Sequence, residues 1–323
     1  MQSKLLRKPI NYYFLLVCWT ASILAQDLTP RAYVISPVKS NAIIVTNVLN
    51  SGEILVDPTV PIVGGEGTLV APALSLYHST GIFGRSANFA ITMPYVFADF
   101  SGIFAGTNGT RMYTRRSGLG DMRVRGAINL RGGRAMTVPE FAKWNEKFLI
   151  GASITATIPT GQNDPAKLIN IGTNRWSLKP DIGVERRWNK WVVDAAAGVW
   201  LFGTNSNFFP GTVDRSQSPI GAFEGHFGYV AGPRLWATFD GNFWTGGQTK
   251  SDGVSNNDRQ NNSRIGGTVS FPLTRQQSLK VSYNYGAYIR VGGAFKTLSV
   301  GWQYSWIGKH FIMPKPPPKP PTP

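Results

Sequence analysis

Charged side chains recur at every second position inside otherwise apolar runs. Asp121, Arg123 and Arg125 do so in one run, and Lys179, Asp181 and Glu185 in another. Asp194, Glu224, His226, Asp240, Arg264, Lys280 and Arg290 stand the same way in further runs. Acids and bases balance in this set. On one face of a sheet they have two uses: opposite charges can pair into a ladder, or they can line a hydrated path that orients polar solutes. Hydrolysis would need a histidine, a nucleophile and an orienting group together. His226 stands two residues from Glu224 and shares its face in an extended chain, but sequence alone supplies no third member. His78, His226 and His310 show no zinc-binding spacing. Asn256-Asn257-Asp258 near Asp252 lacks the calcium-loop pattern, and Gly64 to Gly67 lacks phosphate-loop spacing. No catalytic residue, metal or cofactor is assigned, and the chain is expected not to be an enzyme.

A second basic group is Arg111, Arg115 and Arg116, in a stretch (98–117) that reads as a loop. Folded inward it would favour anions such as the carboxylates of aromatic acids. Folded outward it would meet anionic lipid headgroups or water. Nucleic acid is a poor partner for this basicity, because no binding motif accompanies it.

Strands must position these groups. Only 15% of the 323 residues are charged, against about 25% in an average soluble domain. Glycine is abundant at 36 residues, and aromatics reach 12%. In 298–306, Leu298, Val300, Trp302, Tyr304 and Trp306 alternate with small polar residues, giving one apolar and one polar face. The same period of two runs through 121–130, 148–158, 175–186, 191–203, 219–230, 234–245, 263–271 and 278–290, and more weakly through 42–50, 68–77 and 87–97. In 278–290 it sets Tyr288 and Arg290 on the polar face with Lys280. About 12 strands result, each near the length that crosses a bilayer at a tilt.

Connections alternate long (51–67, 98–117, 159–173, 204–218, 246–262) and short (188–190, 231–233, 272–277). Long loops on one side and short turns on the other describe an outer-membrane barrel. Two connections break the rule. Residues 131–147 are long on the short side and carry a helix-like Pro139 to Trp144, and 291–294 is tight on the long side. Trp and Tyr near strand ends suit the bilayer interface.

At the N-terminus, Lys4, Arg7 and Lys8 precede an apolar run to Leu24 and a small Ala25, the pattern of a cleaved secretory signal. Removing those three basic residues lowers the net charge from +16 to +13. It also removes Cys18, the one cysteine, and with it disulfides and thiolate chemistry.

Several segments carry a family resemblance. They are 29–43 (TPRAYVISPVKSNAI), 75–95 (SLYHSTGIFGRSANFAITMPY), 115–125 (RRSGLGDMRVR), 159–176 (PTGQNDPAKLINIGTNRW), 218–226 (SPIGAFEGH), 234–247 (RLWATFDGNFWTGG) and 298–306 (LSVGWQYSW). The chain resembles the bacterial MetA-pathway of phenol degradation family, a group of predicted outer-membrane transporters. The resemblance spans nearly all of the mature chain and implies a link to aromatic compounds. It brings no catalytic motif. Its end departs from the usual barrel ending, because a proline-rich run follows Trp306 and favours extended polyproline II.

The sequence therefore predicts an all-β, up-and-down transmembrane barrel of about 12 strands in the bacterial outer membrane. Residues 1–25 form the signal, 26–306 the barrel and 307–323 a periplasmic tail. The expected role is passage of small solutes, with aromatic or hydrophobic compounds implied by the resemblance. The alternatives are a non-conducting structural barrel and, third, a barrel-embedded hydrolase. Expected partners are outer-membrane lipid, a small-molecule solute and the barrel-assembly machinery.

Overall fold

A computed structural model describes residues 28–55, 62–104, 108–145, 147–232 and 234–308. The expected signal segment and the tail beyond residue 308 lie outside the described residues. The first strands are β1 (Ser40–Leu55), β2 (Ile62–Ile82), β3 (Arg85–Phe104), β4 (Arg111–Leu119) and β5 (Met122–Arg131). A short helix, α1 (Val138–Ala142), precedes β6 (Phe148–Ile158), β7 (Ser177–Trp188) and β8 (Trp191–Phe202). Then come β9 (Asn205–Phe208), β10 (Val213–Gln217), β11 (Ile220–Gly232), β12 (Leu235–Gly246), β13 (Thr249–Ser251) and β14 (Val254–Ser255). The chain closes with β15 (Gln260–Pro272), β16 (Gln277–Ile289) and β17 (Gly292–Ile307).

The result is a closed antiparallel barrel of 12 strands. β4 and β5 both pair with β3 and together make one stave, interrupted at Gly120-Asp121. β1 pairs along its whole length with β17, from Ser40 opposite Ile307 to Leu55 opposite Gly292. Closure leaves no sheet edge, which is what lipid demands of a spanning sheet.

Alternation sets the two faces. Leu298, Val300, Trp302 and Trp306 of β17 are exposed on the outer surface, while Thr297 is buried on the inner one. The apolar face is thus the lipid face, and the polar face makes the interior. Aromatic rings gather at the ends beside the short turns. Trp188 lies opposite Trp191, which stacks on Phe227 with centroids 5.1 Å apart, and Tyr304 packs between Trp302 and Trp306. Ala195 sits on the lipid face near the middle of β8. Ala195→Arg is expected to cost about 2–4 kcal/mol, read as a lower urea midpoint for the heat-modifiable folded band.

Two expected loops are largely strand. β1 to β4 run 16, 21, 20 and 9 residues and turn far into the stretches 51–67 and 98–117. Their outer face up there carries ion pairs, Arg115 to Asp99 at 2.5 Å and Arg111 to Glu66 at 3.5 Å. Charges on that face place these hairpins above the lipid, on the extracellular side. Apolar alternation fades where neither face meets hydrocarbon, which is why the sequence pattern reads as loop there.

The long connection 132–147 and the tight turn after Ile289 are both present. In the former, Thr137 donates its backbone N–H and its hydroxyl to Glu140, each at 2.8 Å, starting α1. These bonds hold the Glu140 carboxyl below its ordinary range. The loops 203–219 and 247–259 add a small four-stranded sheet in the order β14-β13-β10-β9 over the extracellular mouth.

Candidate functional site

The barrel interior holds most of the predicted charges. Lys179, Asp181 and Glu185 project inward from β7, Asp194 from β8, Glu224 and His226 from β11, Asp240 from β12 and Arg264 from β15. Arg123 and Arg125 share the inner face of β5, and Lys280 shares that of β16 with Asn284. Adjacent staves bring several together. His226 Nδ1 lies 2.8 Å from Asp240, whose second oxygen accepts from Thr268 at 2.6 Å. His226 Nε2 lies 3.6 Å from Glu224 and 3.7 Å from Asp194. Lys179 pairs with Glu224 at 3.3 Å. Arg264 donates to Asn284 at 2.9 Å and Thr297 at 3.0 Å.

Five predicted placements are corrected. Arg290 is exposed in the extracellular turn, donating to Arg259 and Asn257, because a register shift carries β16 past one residue between Gly286 and Tyr288. Tyr288 turns outward for the same reason and is 57% exposed. Arg111, Arg115 and Arg116 do not form a loop cluster; all three lie on β4. Arg111 and Arg115 face outward, and only Arg116 shares the inner face, opposite buried Ala98.

Asp121 faces inward at the break between β4 and β5, where the backbone skips a beat. Its carboxylate accepts from Gly161 N (2.8 Å), Thr173 N (2.8 Å) and Thr173 Oγ1 (2.6 Å). Its role is to hold the loop 159–176 across the mouth. That loop delivers Ile171 to an inner apolar cluster of Leu69, Ala98 and Phe295, with Ile54, Val96 and Phe100 packed against it. A second inner cluster joins Trp200, Ile220, Ala222 and Trp244, with Phe202 and Ile289. Both lie in the extracellular half.

The largest feature missed from sequence is the segment 28–39. The sequence reading counts it within the 26–306 barrel without a strand of its own, and it lies inside, crossing the periplasmic half of the lumen. Thr29 donates its N–H (3.0 Å) and hydroxyl (2.8 Å) to Glu224. Arg31 donates its N–H to Asp194 at 3.3 Å, lies 3.9 Å from Glu185 and packs over the Trp236 ring. The Tyr33 hydroxyl donates to Asp181, its ring lies under Arg125, and its carbonyl accepts from Asn129 at 3.1 Å. Gly151 and Gly183 face each other across β6 and β7, and a Cβ on either would strike the Tyr33 ring. The acids of the ladder are therefore anchors for this segment. Pro30 and Pro37, at positions where a membrane strand would lose ladder bonds, are the sequence signal that separates it from the wall.

Among the described residues, no group of three or more His, Cys, Asp or Glu is arranged to hold a metal ion. No curated protein matches the sequence. Among solved structures, an outer membrane channel from Pseudomonas putida F1 is similar with a TM-score of 0.71 and 17% identity, covering 87% of this chain and 100% of that one. The beta domain of the Bordetella autotransporter BrkA gives a TM-score of 0.49 and 13% identity, over 83% of this chain and 100% of that one. The first likeness establishes the fold of an outer-membrane barrel. The profile of one family, described as "Putative MetA-pathway of phenol degradation", matches residues 51–304, and the chain belongs to that family.

Proposed function

We propose that the protein is an outer-membrane channel for small apolar or aromatic solutes, with the segment 28–39 as its internal plug. One observation carries this reading. Barrel lumens are ordinarily polar, yet this one buries Trp200, Ile220 and Trp244 on its inner face at 3%, 0% and 0% exposure. On the periplasmic side of that apolar cluster lie the plug and its charged anchors. The described contacts of His226 favour passage over hydrolysis: both ring nitrogens face carboxylates, with Asp240 on one side and Glu224 and Asp194 on the other. The barrel-assembly machinery is the partner that would insert such a chain, and lipid its surroundings.

A non-conducting barrel is favoured by one observation, that the plug and the loop 159–176 occupy opposite ends of the lumen. Planar-bilayer recording and liposome uptake separate the two readings. Folded protein is expected to give small current steps and to admit a neutral aromatic probe such as phenol faster than a sugar of similar size. A folded barrel silent to ions, with phenol entry no faster than in empty liposomes, would sink the channel reading.

A further inference from the structure

We propose that the extracellular half of the lumen holds a binding site for one aromatic carboxylate, with its ring against Trp200 and Phe202 and its carboxylate at Arg175. The inference rests on the channel reading above and names a solute class for it.

The charge comes from two arginines on different segments. Arg175 precedes β7 and Arg215 lies on β10, and each is 6% exposed. Arg175 donates to Gln217, which stands two residues from Arg215 on the same strand. Each guanidinium lies over a phenyl ring, Arg175 at 4.8 Å from the Phe202 centroid and Arg215 at 4.5 Å from that of Phe208. A ring face attracts a cation but does not neutralise it. Asp258 pairs with Arg215 at 3.4 Å, and it also accepts from Thr249 N and Thr249 Oγ1 at 2.8 and 2.6 Å. Among the described residues, no carboxylate lies within ion-pair distance of Arg175. Buried charges are ordinarily paired. Burial and the neighbouring Arg215 charge outweigh the more distant Asp121 and pull the Arg175 guanidinium down to about 10, which leaves it charged at neutral pH.

Two more polar atoms point to a ligand. Ser177 Oγ and Trp200 Nε1 are buried with no hydrogen-bond partner among the described residues. Ser177 follows Arg175 by two residues and pairs directly with Phe202. Trp200 stacks on Phe202 with centroids 6.4 Å apart. The Arg175 guanidinium and the Trp200 indole thus both pack on the Phe202 ring, with Ser177 opposite it in register, beside the apolar cluster of Ile220, Ala222 and Trp244. Inorganic anions would satisfy the donors and leave the rings unused. Neutral aromatics would cover the rings and leave the charge unmet. A benzoate-like molecule meets both demands.

The test is calorimetric titration of the refolded mature protein in detergent with benzoate, phenol and acetate. Benzoate is expected to bind at least about tenfold more tightly than either of the others, since a charge-assisted bond is worth about that much. Arg175→Gln is expected to remove the preference for benzoate over phenol, and Arg175→Lys to retain part of it. Trp200→Phe keeps the ring, loses the N–H and is expected to weaken benzoate alone; it stands in should Arg175→Gln fail to give the heat-modifiable folded band. Equal binding of benzoate and phenol to the native protein, or an unchanged preference in the folded variants, overturns the site. Benzoate binding without any solute uptake in liposomes would leave the site and remove the channel. Uptake without benzoate binding would do the reverse.

Discussion

Deletion of Thr29 to Ile35 is expected to raise single-channel conductance several-fold and to make the current steps steady. The segment fills the lumen by bonds to Glu224, Asp194 and Asp181 on three different staves, so its removal takes out both volume and countercharge. The wall itself keeps its pairing, because β1 begins at Ser40 and pairs with β17 from that residue on. Heat-modifiable mobility should therefore persist. The exposed acids of β7, β8 and β11 then favour cations, and the reversal potential in a salt gradient should move that way. Gly183→Val offers a second route to the same state. Its side chain takes the place of the Tyr33 ring, which lies against the Gly151–Gly183 pair. Conductance unchanged in both folded variants would show that the narrowest point lies elsewhere, in the extracellular loops.

Asp121→Ala is expected to free the loop 159–176 while leaving the barrel folded. Three donors lose their acceptor at once, and two of them belong to buried Thr173. Hydrogen bonds to a charged group are worth about 1.5–3 kcal/mol each. The loop keeps scattered single tethers, Gln162 N to Leu119 O at 2.8 Å, Met122 N to Thr160 Oγ1 at 2.9 Å, Arg116 Nε to Ile169 O at 3.0 Å and Asn205 Nδ2 to Thr173 O at 3.3 Å, but none of them replaces the three bonds that converge on Asp121. The measurement is limited proteolysis of intact outer membranes. Lys167, an accessible site in this loop, should be cut by trypsin in the variant well before the native protein. Withdrawal of Ile171 also opens the apolar cluster of Leu69, Ala98 and Phe295, so an environment-sensitive apolar dye should bind more strongly. Asp121→Asn, which keeps two acceptor lone pairs but no charge, should fall between the two. Resistance to trypsin equal to that of the native chain would mean that packing, and not this carboxylate, seats the loop.

The staves were legible where one face meets lipid and the other meets water. Residues 148–158 and 177–188 show this, since Ile154 and Ile182 are exposed outward while Ser153 and Glu185 are buried inward. That contrast is the period-two signal. It failed in three physical situations. Above the membrane, β2 and β3 keep their pairing without a hydrocarbon face, so 51–67 and 98–117 read as loops. At Arg290 a register shift reversed the parity, which no count of alternate residues anticipates. In 28–39 the side chains bond to partners as far as 195 residues away, and such contacts leave no local period. The lumen charges Lys179, Asp181, Glu185, Asp194, Glu224, His226 and Asp240 were found because charge is costly against lipid. Arg175 and Arg215 were missed because they belong to loops, where a cation in sequence carries no sign of burial.

The docked segment also acts on assembly. A strand that slips by one residue turns its whole set of side chains to the other face. Slippage of β7, β8 or β11 would send Asp181, Asp194 or Glu224 toward lipid and leave Tyr33, Arg31 or Thr29 with no acceptor. The segment can therefore dock only when three staves have reached correct register together. Its binding free energy is withheld from every slipped arrangement and granted to the native one, so the same residues that obstruct the pore also select which barrel the chain closes into.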